Sequence, residues 1–176
     1  MTGATSKPRA VVTGGAGFIG SHMVDVLLDG GYAVQVVDDF SGGHDRNLAH
    51  LAGNPDLTVT RQDIRDLDPA ARPFGDAKFV LHFAGIGDIV PSIERPVDYM
   101  DINVQGTVKV LECARAAGVD KFVYAASSSC YGLADVPTRE DHAIDPKYPY
   151  ALSKYQGEQA ALHWHKVYGL PVNTIR

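Results

Sequence analysis

The segment Thr13-Gly14-Gly15-Ala16-Gly17-Phe18-Ile19-Gly20 determines the architecture expected for this chain. It follows a short β-branched run at residues 9–13 and opens a helical pattern over about residues 17–28. The glycines satisfy both GxxGxxG and GxGxxG, and this context supports the motif because the glycines permit a tight turn between strand and helix. They also let the backbone approach a pyrophosphate, while the N–H groups at the helix start face the anion. The segment therefore predicts the first βαβ unit of a dinucleotide-binding fold.

Strand-like and helix-like segments alternate along the rest of the 176 residues. The further strands are expected at residues 33–37, 57–61, 79–83, 121–126 and 172–175. Long helices are expected at residues 97–117 and 150–168, and the Pro- and Asp-rich residues 133–149 are expected to form a loop. This alternation predicts a Rossmann-type doubly wound parallel sheet, a three-layer α/β/α domain that spans residues 1–176.

Composition excludes several classes of partner. The chain has 45% hydrophobic residues and a net charge of −5, and it has no basic cluster that would favour nucleic acid or an anionic membrane. Its two cysteines, Cys113 and Cys130, do not make a disulfide framework and favour free thiols in the cytoplasm. The N-terminus lacks the apolar stretch of a signal peptide. His163 and His165 point to different sides of a helix, so no metal site is predicted.

The glycine turn and the second strand predict the identity of the cofactor. Asp38 ends that strand about 20 residues after the turn, where a carboxylate accepts both ribose hydroxyls and repels a 2′-phosphate. NAD is therefore expected rather than NADP. The predicted cofactor contacts at this end of the site are Gly14, Gly17, Phe18, Ile19, Gly20, Asp38 and Asp39. For Asp39 a role as a loop cap is the alternative.

Tyr150 and Lys154 lie one helical turn apart and form a candidate general base. A tyrosine ordinarily titrates near pH ~10, and an ammonium one turn away favours the phenolate. A pKa near ~7 would require about 4 kcal/mol of differential stabilisation, which the lysine and a cationic nicotinamide ring could share. Such a pair alone is weak evidence, so its significance depends on the motifs around it.

Seven motifs in this order resemble the extended short-chain dehydrogenase/reductase family, and within it the nucleotide-sugar 4-epimerases. They are TGGAGFIGSH (13–22), VVDDFS (36–41), DIRD (63–66), HFAG (82–85), NVQGT (103–107), SSSCYG (127–132) and YALSK (150–154). The resemblance implies that NAD is held in addition by Asp63, Ile64, Phe83, Ala84, Gly85, Asn103, Tyr150 and Lys154. It implies a catalytic set of Ser127, Tyr150 and Lys154, with the serine hydroxyl on the sugar 4-oxygen.

The residues after Ser127 discriminate between reactions in the resembling family. Sugar 4,6-dehydratases have Asp-Glu at the next two positions, whereas this chain has Ser128 and Ser129, which cannot serve as the acid and base of water elimination. The expected reaction is therefore NAD-dependent epimerisation at C4 of a nucleotide-diphosphate sugar through a transient 4-keto intermediate. Substrate contacts would come from Ser127, Ser128, Ser129 and Tyr150. The alternatives are another NAD-dependent nucleotide-sugar oxidoreductase or decarboxylase of the family, or a non-catalytic dinucleotide-binding sensor.

Two features depart from the resembling family. Its members are about twice as long, so the C-terminal lobe that selects the sugar is expected to be absent from this chain. Some hexose epimerases carry a lysine two residues after the HFAG segment, where this chain has Gly87. A diphosphate contact from that lysine is therefore not expected here.

The helix at 97–117 carries two apolar stripes, and these predict an assembly. One stripe comprises Val97, Met100, Val104, Val108 and Leu111, and the other comprises Ile102, Gly106, Val110, Cys113 and Ala117. One stripe suffices to cover a sheet. In the resembling family this helix and the one that bears the tyrosine pack against their copies. The expectation is a homodimer through helices 97–117 and 150–168, with Val110 on the interface; packing of the second stripe within one chain is the alternative.

Overall fold

Six short runs rich in β-branched and aromatic residues form one parallel sheet in the computed structural model, which describes residues 7–176. The strands are β1 Arg9–Thr13, β2 Ala33–Asp38, β3 Leu57–Arg61, β4 Phe79–His82, β5 Lys121–Ala125 and β6 Val172–Ile175. Their order is β3-β2-β1-β4-β5-β6, and every neighbouring pair is parallel. Residues 1–6, which begin the N-terminal segment considered above for a signal peptide, lie outside the part of the chain that the structure describes.

Within residues 7–176, five α-helices follow β1, β4 and β5, whereas only short 3₁₀ turns lie between β2, β3 and β4. The helices are α1 Phe18–Asp29, α2 Ile89–Glu94, α3 Pro96–Met100, α4 Thr107–Ala117 and α5 Pro149–Tyr168. A π-helical turn, Asp101–Gly106, joins α3 to α4. Since β1 lies between β2 and β4, the strand order reverses there and leaves a crevice at the carboxyl ends of the strands, where doubly wound folds bind ligands.

The hydrophobic core divides into two clusters, one on each face of the sheet. On one face Val12 and Val36 pack with Val24 of α1. On the other face Val11 and Val80 pack in a larger cluster that includes residues of α4 and α5. Successive residues of a strand point to opposite faces, so these strands are apolar on both sides. The predicted three-layer α/β/α fold is confirmed.

The pattern-based prediction of the strands was accurate to one residue at each end, but the helical region after β4 differs from it. The structure contains α2, which was not predicted, and it interrupts the expected helix at 97–117 with the π-helical turn. Gly106 ends that turn, and a Cβ there would lie 2.6 Å from Cδ1 of Ile64. Close packing of this kind is a tertiary constraint that periodicity does not reveal.

The second apolar stripe is buried within the chain. Val110 and Cys113 are fully buried in the cluster that α4 and α5 form against the sheet. The expectation that Val110 lies on an exposed interface is therefore wrong, because the sheet and α5 already cover that face. On the other stripe, Val97 is 76% exposed and Val104 and Val108 are half-buried.

Among residues 7–176, no helix combines the length and the apolar character that a bilayer span requires.

Candidate functional site

A cleft of about 670 Å³ lies at the carboxyl ends of the strands, next to the point where the strand order reverses. Its walls bring together predicted residues that are distant in sequence: Gly14, Gly17, Phe18, Ile19, Gly20, Asp38, Asp39, Asp63, Ile64, Phe83, Ala84, Gly85, Tyr150 and Lys154. Four other predicted residues, Asn103, Ser127, Ser128 and Ser129, do not line the cleft. The cavity is large enough for a cofactor-sized ligand.

The glycine turn approaches its neighbours more closely than any side chain would allow. Gly14 has a φ of 71°, and a Cβ there would lie 2.6 Å from the backbone nitrogen of Ala84. A Cβ on Gly20 would lie 2.2 Å from the carbonyl oxygen of Gly14. Gly17 is the N-cap of α1 and contributes no side-chain cap, so the first-turn N–H groups remain available to a ligand anion in the cleft.

Asp38 holds the glycine turn to the loop after β2. Its carboxylate is almost fully buried; Oδ2 accepts from the backbone N–H of Ala16 at 2.9 Å and Oδ1 from that of Phe40 at 2.8 Å. Each oxygen keeps a further lone pair for a ligand hydroxyl. Asp39 accepts from the backbone N–H and the hydroxyl of Ser41, which confirms its role as a loop cap, and it also lines the cleft.

An ion-pair network organises the turn after β3. The carboxylate of Asp63 accepts from the backbone N–H of Arg65 at 2.8 Å and pairs with its guanidinium at 2.6 Å. This hydrogen-bonded partner lowers the pKa of Asp63. Arg65 also pairs with Asp101 of the π-helical turn at 2.7 Å. The network therefore fixes the Asp63–Ile64 wall of the cleft against that turn.

Asn103 supports the cleft from behind. It is almost fully buried on the π-helical turn, and its Oδ1 accepts from the backbone N–H of Ile86 at 2.9 Å. Its Nδ2 donates to the carbonyl oxygen of Ile86 and to Oγ of Ser153, each at 3.0 Å. Ser153 in turn donates to the carbonyl oxygen of Tyr150 at 2.8 Å. The amide therefore joins the loop after β4 to the helix that carries Tyr150.

His82 is a supporting residue that the sequence motif did not identify as one. Thr107 Oγ1 donates to the carbonyl oxygen of Asn103 at 2.7 Å, so it accepts from His82 Nε2 at 2.9 Å. Nδ1 of His82 then accepts from Thr13 Oγ1 at 2.6 Å. Burial, and secondarily the charge of Lys154, lower the pKa of His82 to about 3. The ring is a neutral connection between β1, β4 and α4.

Tyr150 and Lys154 line the cleft from α5, one turn apart. Lys154 is 8% exposed, and its ammonium lies 4.5 Å from the centroid of the Tyr124 ring. Burial lowers the pKa of Lys154 to about 8, and the charge of Glu158 partly opposes that shift. Two features of the cleft fit a dinucleotide. Its ribose hydroxyls can accept from the buried ammonium of Lys154, and its phosphates can bind at the free N-terminus of α1.

Ser127 caps a short 3₁₀ turn, Ser128–Tyr131, at the end of β5. Its Oγ accepts from the backbone N–H of Ser129 at 3.2 Å and lies 2.6 Å from Oγ of Ser129, while Ser128 is exposed. Ser127 directly follows Ala125 and Ala126, which do line the cleft. Cys130 is buried, and burial raises its pKa, which favours a packed thiol over a reactive one.

The cleft also contains residues that the sequence motifs did not indicate. Tyr99 lies against Tyr150 with ring centroids 6.3 Å apart, and its hydroxyl donates to the carbonyl oxygen of Gly87. Arg95 lines the same wall. Arg95 is the C-cap of α2, which the sequence pattern did not predict, whereas Tyr99 lies within the predicted helix 97–117 but in no motif that marks it as a site residue. Gly42 and Gly43 also line the cleft, because the loop that contains them folds back onto the glycine turn at Ala16.

Comparisons with known proteins agree with this geometry. Residues 10–176 match the family described as the NAD dependent epimerase/dehydratase family. The chain is 40% identical over 169 residues to a protein of Methanocaldococcus jannaschii provisionally named UDP-glucose 4-epimerase, covering 94% of this chain and 54% of that protein.

Solved structures show the same fold. The UDP-N-acetylglucosamine 4-epimerase of Methanobrevibacter ruminantium has a TM-score of 0.91 at 31% identity, over 98% of this chain and 55% of its own. The dTDP-glucose 4,6-dehydratase DesIV of Streptomyces venezuelae, solved with NAD, has a TM-score of 0.87 at 36% identity, over 94% of this chain and 54% of its own. The chain thus spans about half the length of the relatives it matches.

Replacing Lys154 by methionine is expected to stabilise the cofactor-free chain. The substitution keeps the length and removes a buried charge, so the free energy of unfolding at pH 7 should rise on the order of 2 kcal/mol. In the parent chain the unfolded state binds more protons than the folded state from pH 8 to 10.5, so stability should increase with pH over that range. The variant should lack that increase.

Urea unfolding followed by circular dichroism at pH 7 and pH 10 measures both effects. Lys166→Met, at an exposed site near the end of α5, is the matched control and should leave both values unchanged. A Lys154→Met variant less stable than the parent at pH 7 would contradict the assigned burial cost.

Proposed function

Because the chain belongs to the NAD dependent epimerase/dehydratase family, we propose that it binds NAD and carries the catalytic residues of a nucleotide-sugar 4-epimerase. The reaction is inversion at C4 of a nucleotide-diphosphate sugar through a transient 4-keto intermediate. The observation that carries the proposal is the position of Tyr150 and Lys154, which line the same cleft as the glycine turn. The UDP-glucose 4-epimerase named among its relatives supports it.

The cleft residues divide the binding of NAD between its two ends. The N-terminus of α1 takes the diphosphate, Asp38 accepts from the adenosine ribose, and Asp63 and Ile64 border the adenine. Lys154 donates to the nicotinamide ribose from its position over Tyr124. Bound NAD supplies a hydride acceptor and donor beside the sugar carbon.

Tyr150 moves the proton in the proposed reaction. Its phenolate, favoured by the ammonium of Lys154, takes the proton from the 4-hydroxyl and returns it after the ring has turned over. Ser127 holds the sugar 4-oxygen by a hydrogen bond from its hydroxyl while charge develops. Ser127 Oγ accepts from the backbone N–H of Ser129, and where Ser129 Oγ also donates to it, its own hydrogen is available to the sugar oxygen.

The similarity to DesIV makes water elimination the second candidate reaction. Elimination requires an acid and a base in addition to the tyrosine. At the two positions after Ser127 this chain offers only hydroxyls, from the exposed Ser128 and from Ser129, which contacts Ser127. These side chains favour epimerisation. A dinucleotide-binding sensor without turnover is a third candidate, and an intact Ser127, Tyr150 and Lys154 set disfavours it.

We also propose a homodimer through helices 97–117 and 150–168. Its contact face differs from the stripe with Val110 that the sequence predicted. Val97, Val104 and Val108 share one side of the run from α3 to α4 and are exposed or half-buried. On α5, Leu152 and Leu162 are more than one third exposed. These residues, rather than Val110, offer an apolar face to a second copy.

Asp38→Asn should reduce the preference for NAD over NADP. The substitution removes the charge that repels a 2′-phosphate, although it also places an amide against the N–H of Ala16 or Phe40, so NAD binding should weaken as well. Calorimetric titration of both cofactors measures the ratio. Asp120→Asn, at an exposed site, is the control, and equal affinity of the parent protein for the two cofactors would refute the assignment.

Tyr150→Phe should lower turnover of UDP-sugars by a factor of about 10³ or more while NAD binding stays within about twofold, because only the reacting hydroxyl is lost. The assay follows the products from a panel of UDP-sugars with the complete polypeptide and distinguishes epimers from dehydrated products. Tyr155→Phe on the same helix is the control. Near-normal turnover by the Tyr150 variant would show that Tyr150 is not the base. A dehydrated product would refute the epimerase proposal in favour of water elimination.

Val108→Asp should dissociate the dimer without unfolding the chain, since the side chain is half-buried on the contact face. Val110→Asp should instead unfold the chain, because it places a charge in the core. Sedimentation velocity together with circular dichroism separates the two outcomes. A monomeric parent protein, or a dimer unaffected by Val108→Asp, would count against this interface.

A further inference from the structure

Three side chains behind the catalytic residues form a polar cluster that the proposed reaction does not use. Glu158 is 2% exposed, and both of its carboxylate oxygens accept from Nε of Arg176 at 3.0 Å. Nη1 of Arg176 donates to the hydroxyl of Tyr131 at 2.6 Å, and the guanidinium lies 5.1 Å from the centroid of the Tyr131 ring. A buried carboxylate is costly, so this cluster requires an explanation beyond packing.

The cluster connects the three elements that carry the catalytic residues or border them. Glu158 lies on α5 with Tyr150 and Lys154, and Arg176 directly follows β6. Tyr131 ends the 3₁₀ turn that Ser127 caps. The pair of Glu158 and Arg176 thus ties the turn with the serine to the helix with the tyrosine and the lysine.

Glu158 also lies one turn beyond Lys154 on the same face of α5, and both side chains are buried. The neighbouring groups from other elements contribute little negative charge. Burial lowers the pKa of His82 of β4 and keeps its ring neutral between two threonines, and burial raises the pKa of Tyr124 of β5 and of Cys130 beside the 3₁₀ turn. The remaining neighbour, Tyr150, is the proposed base whose phenolate the ammonium of Lys154 favours.

Among the described residues, the carboxylate of Glu158 is the charge that stabilises the ammonium of Lys154. Arg176 acts on the lysine through that carboxylate: its guanidinium pairs with Glu158 at 3.0 Å and neutralises part of the field of the carboxylate. Their balance bears on the protonation state of a lysine that burial alone would drive toward the neutral amine.

We propose that Glu158 and Arg176 are positioning residues that set the charge state of Lys154, with Glu158 as its counter-charge and Arg176 as the group that limits the strength of that counter-charge. This rests on the proposed function, in which Lys154 favours the phenolate of Tyr150. The pair keeps the lysine protonated near neutral pH, yet leaves its ammonium free to face the cleft rather than drawn into a direct ion pair with Glu158.

The test is a pH titration of Lys154 in the complete protein without cofactor or substrate. The protein is labelled with ¹³C-lysine, the Cε resonance of Lys154 is assigned by its loss in Lys154→Met, and its shift is followed from pH 6 to 11. Glu158→Gln should lower the apparent pKa of the lysine by about one unit, and Arg176→Gln should raise it by about one unit. Loss of packing alone would shift both variants in the same direction.

Glu112→Gln and Arg115→Gln are the matched controls, because they break an ion pair of similar length, 2.7 Å, on α4 away from the cleft. They should leave the titration of Lys154 unchanged. Shifts of the same sign in the Glu158 and Arg176 variants, or no shift in either, would overturn the proposal. If Glu158→Gln does not fold, the upward shift in Arg176→Gln alone supports the proposal, and its absence overturns it. The readout needs no turnover, so it stays independent of whether the enzyme epimerises a sugar.

Discussion

The arrangement of the cleft depends on the contact between the glycine turn and the backbone that follows β4. Gly14 lies against the backbone of Phe83 and Ala84 at a distance that excludes a Cβ, and a Cβ on Gly20 would lie still closer, 2.2 Å from the carbonyl oxygen of Gly14. Because these are contacts between backbones, they cannot relax by a change of rotamer. They hold the start of α1 at the crevice of the sheet, so the first turn of α1 lines the cleft with N–H groups that no side chain caps.

A chain of buried polar side chains extends this constraint to α5, the helix that carries Tyr150 and Lys154. Hydrogen bonds run from Thr13 at the end of β1 through His82 and Thr107 to the carbonyl of Asn103 on the π-helical turn. The amide of Asn103 then reaches Ser153 on α5. Each hydrogen of this chain has a determined acceptor, so the histidine is held in one neutral tautomer. The two ends of the cleft are thereby fixed relative to each other.

The charges of the cleft are placed at a cost in stability. Lys154 is buried with its ammonium over an aromatic ring, and burial brings its pKa down to about 8. An unpaired ammonium at this buried position lowers the stability of the fold, but it is available to a ligand. Functional sites often reduce stability in this way. Glu158 shows the opposite arrangement, since its buried carboxylate is paired with the guanidinium of Arg176 at 3.0 Å.

The sequence by itself determined the strands, their alternation with helices in a parallel sheet, and the residues of the glycine turn. Strand composition and glycine spacing are local properties of the chain. It also placed Tyr150 and Lys154 one turn apart, since helical geometry is local. Only the tertiary structure decided that Val110 faces the core, that α2 forms the wall with Arg95 and Tyr99, and that His82 is a buried connection. Those outcomes depend on which elements pack together, and the physical reason is that burial and hydrogen-bond partners come from residues distant in sequence.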